Sequence, residues 1–228
     1  MSKPAFPVRF LAALVCLLFI LAALFFCVQI TVNNRGYFYR EYTALGHAAS
    51  MGMSTGDLTD ATMRMIEYME GTAPSIDIDV TVDHQKVSMF NDRERAHMVD
   101  VRALYQGFRT FAWIASALFI LFLLLHKKLG VSASRAFFTA SKVFGVLLAA
   151  IAAWVLLDFN SFWTGFHLLF FKNDLWLLDP ATSRMINMMP WELFYDIVLR
   201  AVGVFVAVWA VLLLLAGVNR RREKRAGA

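Results

Sequence analysis

The sequence predicts an all-α membrane protein, a four-helix transmembrane bundle with a small mixed α/β extracytoplasmic cap. Three observations predict it. The 228 residues are 59% hydrophobic and only 17% charged, too apolar for an ordinary soluble domain of this length. The apolar residues gather into four runs, Phe10 to Ile30, Thr110 to Leu125, Val143 to Leu157 and Ile197 to Val218. The basic residues cluster at the ends of those runs on alternate sides, as topology requires.

The first run is long enough to span a hydrocarbon core of roughly 30 Å as a helix. No small-x-small cleavage site follows it, so it reads as an uncleaved anchor rather than a signal peptide. Lys3 and Arg9 precede it, Lys127, Lys128 and Arg135 lie between the second and third runs, and Arg220, Arg221, Arg222, Lys224 and Arg225 follow the fourth. Placing these three groups in the cytoplasm puts both termini on the cytoplasmic side of the cell membrane and turns Thr31 to Arg109 and Asp158 to Asp196 outward. The organisation that follows is 1–30, the N-terminus and first span; 31–109, the large outer segment; 110–157, two spans and a basic loop; 158–196, an aromatic outer segment; and 197–228, the last span and a basic tail. The net charge of +5 is accounted for by these short cytoplasmic ends, so nucleic acid is not an expected partner. Cys16 and Cys27 both lie in the first span, too far apart along one helix to form a disulfide.

In the first outer segment Leu58, Met65 and Met69 recur at helical spacing within Asp57 to Glu70, and Gly71 ends that helix. Ile76, Ile78, Val80 and Val82 alternate with polar residues, which predicts a half-buried strand. A turn at Asp83-His84-Gln85 and a second strand from Lys86 to Phe90 complete a hairpin. Asn91 with Glu94 forms a capping-box pattern, and nothing interrupts the helix from Asp92 to Leu125. At 1.5 Å per residue such a helix runs about 50 Å, so its first half must stand outside the hydrocarbon. Arg93, His97, Asp100 and Leu104 share one face of that half, and Arg109 marks its outer boundary.

In the second outer segment Phe159, Trp163, Phe166 and Phe170 share a helical face in an interfacial aromatic belt that also holds His167. Asn173, Asp174 and Asp179 follow, with Pro180 and Pro190 read as helix stops. His47, His84 and His126 read as surface, turn and helix-end residues. His97 and His167 differ, because the topology brings both to the outer boundary from distant segments. Glu94-x-x-His97 also matches half of a helical carboxylate–histidine metal motif, whose second half is missing because Thr164 precedes His167. No Gly-x-Ser-x-Gly elbow, phosphate loop or paired-cysteine motif is present, and neither a metal nor another cofactor is expected.

The stretches Phe90-Asn-Asp-Arg-Glu-Arg-Ala-His97-Met-Val-Asp100-Val-Arg102 and Phe166-His167-Leu-Leu-Phe-Phe-Lys-Asn173-Asp174-Leu-Trp176-Leu-Leu-Asp179-Pro180 resemble the bacterial lipoprotein intramolecular transacylase (Lit) family. The resemblance extends over the four-span layout. It implies an acyltransferase acting on the diacylglyceryl-modified N-terminal cysteine of membrane lipoproteins, with membrane lipid as its surroundings. The implied reaction moves the sn-2 acyl chain to the cysteine α-amine and leaves an N-acyl lyso-form. The family's two histidines map onto His97 and His167. We assign His97 as base and His167 as acid, an order the sequence allows to be reversed. Lys172, Asn173 and Trp176 near His167, and Arg93 and Arg102 near His97, are candidate oxyanion or substrate contacts, with Asp100, Asp174 and Asp179 as site or scaffold residues. An acyl-enzyme on Cys27 is the less favoured variant, since no base adjoins it. Two other functional classes compete, a non-catalytic membrane assembly or binding component and a metal-dependent membrane hydrolase.

Overall fold

The computed structural model describes residues 5–226, so Lys3 lies outside the described residues. Nine helices and one hairpin are described. Four of the helices, α1 (Phe6–Val32), α5 (Asp92–Leu125), α6 (Ala133–Leu157) and α9 (Trp191–Ala226), are long and apolar enough to cross a membrane. The chain divides into two compact units. One holds residues up to Val28, Arg109–Trp163 and Ala201 onward; the other holds Gln29–Phe108 and Thr164–Arg200.

The first unit is the apolar one. Its buried residues include Cys16, Ile20, Phe122, Phe144 and Phe205, while most side chains in the four spans are left uncovered by protein. That is the pattern expected where lipid supplies the remaining contacts. Phe19 stacks on Phe119 at 4.0 Å, and Ala22, Ala112 and Ala115 are buried together, small side chains that let helices approach closely. The Trp209 indole donates to the Ser141 hydroxyl at 3.2 Å, removing one polar pair from the apolar surroundings. Both cysteines are free and buried. His126 closes the turn after α5 through a 3.0 Å hydrogen bond to the Val131 carbonyl, in keeping with its reading as a helix-end residue.

The second unit is polar and mixed. It opens with α2 (Arg35–Leu45) and α3 (His47–Ser50), which the periodicity did not predict. Asn34 caps α2 by accepting the Tyr37 N–H, and Gly46, at φ +62°, supplies the left-handed residue that ends it. Then α4 (Thr55–Glu70) runs from its Ser54 cap to Gly71, close to the predicted bounds. Strands β1 (Asp79–Val82) and β2 (Gln85–Ser88) pair antiparallel with Val80 opposite Val87. They are shorter than predicted, and Gln85 belongs to the second strand rather than the turn. Asp83 and His84 both take positive φ, the two-residue geometry that matches strand twist, so two residues suffice. Ile76 and Val80 point inward as the alternation required.

These elements enclose a core in which Phe38, Tyr42, Leu58, Met89, Phe90, Met188 and Leu193 are essentially inaccessible. The Tyr42 hydroxyl joins Thr62 at 2.8 Å and donates to the Met188 carbonyl at 3.0 Å, so the segment after α1 grips the segment after α7 (Phe159–Phe170). The second segment comprises the end of α7, a long loop, and α8 (Arg184–Asn187). Pro180 stops no helix, since α7 ends at Phe170, well before it; Pro190 follows the end of α8 at Asn187 and also precedes Trp191 at the start of α9. Its missing N–H costs nothing there, because the first turn of a helix leaves its N–H groups unpaired anyway.

Candidate active site

The site is built on the first turns of α5. Its N-terminus is closed by a reciprocal capping box, in which the Glu94 N–H donates to Asn91 Oδ1 at 2.9 Å and the Asn91 N–H donates to Glu94 Oε2 at 2.7 Å. Glu94 does more than cap. It is wholly buried, and its second oxygen accepts the Ser183 hydroxyl at 2.5 Å and the Met185 N–H at 2.9 Å. One carboxylate therefore fixes α8 and the preceding loop to the helix that carries His97. Sequence reading found the capping half of this role and missed the other, because Ser183 and Met185 carry no local signal. The half metal motif is resolved the same way, since Glu94 spends its oxygens on these three donors.

His97 follows one turn later and is 6% exposed; His167, near the C-terminus of α7, is 5% exposed. Their ring centroids are 6.3 Å apart. Phe171 lies against both, 5.2 Å from His97 and 5.6 Å from His167. The Trp176 indole stacks on His167 at 4.7 Å. Two polar atoms in this cluster, His97 Nδ1 and Trp176 Nε1, are buried without a hydrogen-bond partner. Such an atom costs roughly 1–3 kcal/mol, so a pair of them in one cluster marks a place that a polar ligand would complete.

Polar pairs on the same face of α5 hold the loop after α7. Asn173 donates to Asp100 at 2.8 Å, and Arg93 donates to the Asp174 carbonyl and lies 3.5 Å from its carboxylate. The shared face predicted for Arg93, His97 and Asp100 is thus the face that meets the second segment. Asn173 and Asp174 have these partners as scaffold. Asp179 accepts the Ala181 N–H in its own turn, Lys172 is exposed, and Arg102 lies on another face, stacked 4.6 Å over the Tyr68 ring. Farther along α5, Phe108 packs edge-on against Phe170 at 5.5 Å, and Phe166 lies 4.9 Å from Phe170, an apolar wall beside the histidine pair. Among the described residues no group of three or more His, Cys, Asp or Glu is placed to hold a metal ion.

Burial pushes the His97 imidazolium below its ordinary value of 6.5, and the charges of His167 and Arg93 push it the same way, while Asp100 pulls it back. His97 is therefore neutral at physiological pH and able to accept a proton. A reaction that needs it neutral should fail only as pH drops below 6.5. Asp100→Asn removes a stabiliser of the imidazolium and should move the acidic limb of kcat/KM to lower pH; Arg93→Gln removes a destabiliser and should move it to higher pH. Rate profiles of the two variants shifted in the same direction would contradict this assignment.

A family model described as lipoprotein intramolecular transacylase Lit matches residues 13–194. Among solved structures, an in meso structure of the membrane integral lipoprotein intramolecular transacylase Lit from Bacillus cereus superposes with a TM-score of 0.73 at 18% identity, covering 97% of this chain and 100% of that one. Structures of the same protein with a histidine replaced by arginine or by alanine each give 0.72 at 17% identity. They cover 96% and 95% of this chain and 94% and 96% of theirs. No curated protein matches.

Proposed function

Because the chain belongs to the lipoprotein intramolecular transacylase family, we propose that it moves the sn-2 acyl chain of a diacylglyceryl-modified lipoprotein cysteine from glycerol oxygen to the cysteine α-amine. The observation that carries this reading is the pair of buried histidine rings 6.3 Å apart, drawn from two distant segments. Ester-to-amide transfer runs downhill and needs no nucleotide or external acyl donor. What it needs is one group to take a proton from nitrogen and another to return one to oxygen.

An α-amine has a pKa near 8, so only about a tenth of it is unprotonated at neutral pH. His97, held neutral, takes the proton as the nitrogen attacks the ester carbonyl. Protonated His167 gives its proton to the glycerol oxygen as the carbon–oxygen bond breaks. The amine loses one proton and the alcohol gains one, so proton return from His97 to His167 resets the pair. Amine and ester sit on one substrate molecule, which supplies a large effective concentration. Entry of the ester turns Phe171 aside, since that ring fills the space beside both histidines.

The negative charge that develops on the carbonyl oxygen calls for a donor, and the unpartnered Trp176 indole N–H supplies one. Trp176→Phe keeps a ring to stack on His167 and removes the N–H. It is expected to lower kcat by about 10²–10³ with little change in KM; a loss confined to KM would mean that the ring only shapes the site.

The basic segments around the spans support an extracytoplasmic active site with both termini in the cytoplasm. The wall of Phe108, Phe166 and Phe170 suits the acyl chains. The test is fragmentation mass spectrometry of a lipoprotein N-terminus from a strain lacking other N-acylating enzymes. Expressing this protein should convert the diacylglyceryl form to an N-acyl lyso-form. Unchanged diacylglyceryl lipoprotein in the presence of the folded protein would refute the assignment and favour a binding role.

A further inference from the structure

A cavity of about 480 Å³ opens between α3 and α8, lined by His47, Ser50, Arg184, Ile186, Asn187 and Pro190 among others. Its other polar groups are already engaged with one another or with nearby backbone. Ser50 donates to the His47 carbonyl, His47 Nε2 shares a 2.7 Å hydrogen bond with the Asn187 carbonyl, and the Asn187 amide donates to the Pro180 carbonyl. Arg184 is different. One of its N–H groups reaches the Ser88 carbonyl at 3.3 Å, but no carboxylate lines the cavity, and among the described residues no ion pair includes Arg184. A guanidinium has five N–H donors, so most of its capacity and all of its charge remain for an anionic guest.

The position of the cavity says which part of the substrate reaches it. Its α8 wall is bound through Met185 and Ser183 to Glu94, one turn before His97. The Phe108–Phe170 wall lies the other way, some 16 Å farther along α5 at 1.5 Å per residue, toward the apolar half of that helix. The substrate branches at its N-terminal cysteine, with acyl chains on one side and polypeptide on the other. With the amine at His97 and the chains toward Phe108, the polypeptide leaves toward α8. Resting on the transacylase reading, we propose that this cavity receives the peptide just after the modified cysteine and that Arg184 selects an acidic side chain there.

The experiment compares three synthetic diacylglyceryl lipopeptides, identical except for Asp, Ser or Lys within the first few residues after the cysteine. They are assayed with full-length enzyme in phosphatidylcholine vesicles. Wild type should prefer Asp over Lys by roughly threefold to tenfold in kcat/KM, carried by KM, the range that a half-exposed ion pair supports. Arg184→Glu should invert the order. Arg184→Gln, which keeps a donor for the Ser88 carbonyl if the charge reversal fails to fold, should flatten it. An active wild type with no preference, or the same preference in both variants, overturns the proposal. So does a rate that responds equally for all three peptides to added phosphatidylglycerol or inorganic phosphate and loses that response in Arg184→Glu, because the guest would then be a phosphate. Wild type inactive on every peptide would instead sink the transacylase reading.

Discussion

Alanine at either His97 or His167 is expected to lower formation of the N-acyl product by about 10²–10⁴, the usual worth of a positioned acid or base. The double variant should be little worse than the poorer single one, because two groups that share one proton cycle act as a unit and their losses do not add. Product is read by mass spectrometry, and each variant is checked by thermal unfolding in detergent. His97 Nδ1 bonds to nothing in the free protein, so no partner of that atom is stranded by its removal. The two roles can be separated with a substrate whose leaving oxygen is more acidic than a glycerol hydroxyl. Such an oxygen departs without a proton, so activity should return in His167→Ala and stay lost in His97→Ala. Recovery in His97→Ala alone would reverse the assignment. Full activity in either single variant would remove the pair from the mechanism.

What could be read from the sequence divides along physical lines. The four spans, α4, the alternating strand and the uninterrupted α5 were legible because each depends on a local repeat or a local cap. The face carrying Arg93, His97 and Asp100 was legible for the same reason, since helical spacing alone puts them together. Helices α2 and α3 were not, because Arg35–Leu45 mixes Arg, Tyr and Thr without a clear apolar stripe; only Asn34 and Gly46 at its ends announce it. The loop after α7 has no period at all. Which of its residues meet α5 is decided by tertiary pairing, so Asn173 and Asp174 found partners on the predicted face while Asp179 closes its own turn. Arg102 is near His97 along the chain but not around the helix. Five residues beyond His97 is more than a third of a turn around the helix, and its guanidinium lies on Tyr68 instead. Pro190 was read only as a stop although it also leads into α9, a use that no local rule separates from the first, and Pro180 lies in the long loop away from any helix end.

Glu94 is the residue whose value was least visible and whose loss should cost the fold most. Alanine there strands three donors at once, the Asn91 N–H and the buried Ser183 hydroxyl and Met185 N–H. Removing one partner from a buried charged network costs about 3–5 kcal/mol, which for a chain of this size lowers the melting temperature by roughly 10 °C. Glutamine fits the same space and still offers Oε1 to Ser183 and Met185, but its amide nitrogen would face the Asn91 N–H, donor against donor. That loss is of the order of a lost cap, about 1 kcal/mol. The expected order of melting temperature in detergent is therefore wild type, Glu94→Gln, then Glu94→Ala, with Asn91→Ala close to Glu94→Gln. Activity should be lost separately from stability. Glu94 touches no reacting atom, yet it anchors α8 and the loop that carries Trp176 to the helix that carries His97. Freed of that anchor, the second segment would lose its register with the first, and kcat should fall in Glu94→Ala even at temperatures where the protein stays folded. A Glu94→Ala protein that melts like the wild type would show that α8 is held by its core contacts at Met185 and Met188 alone, and the carboxylate would then be no more than a cap.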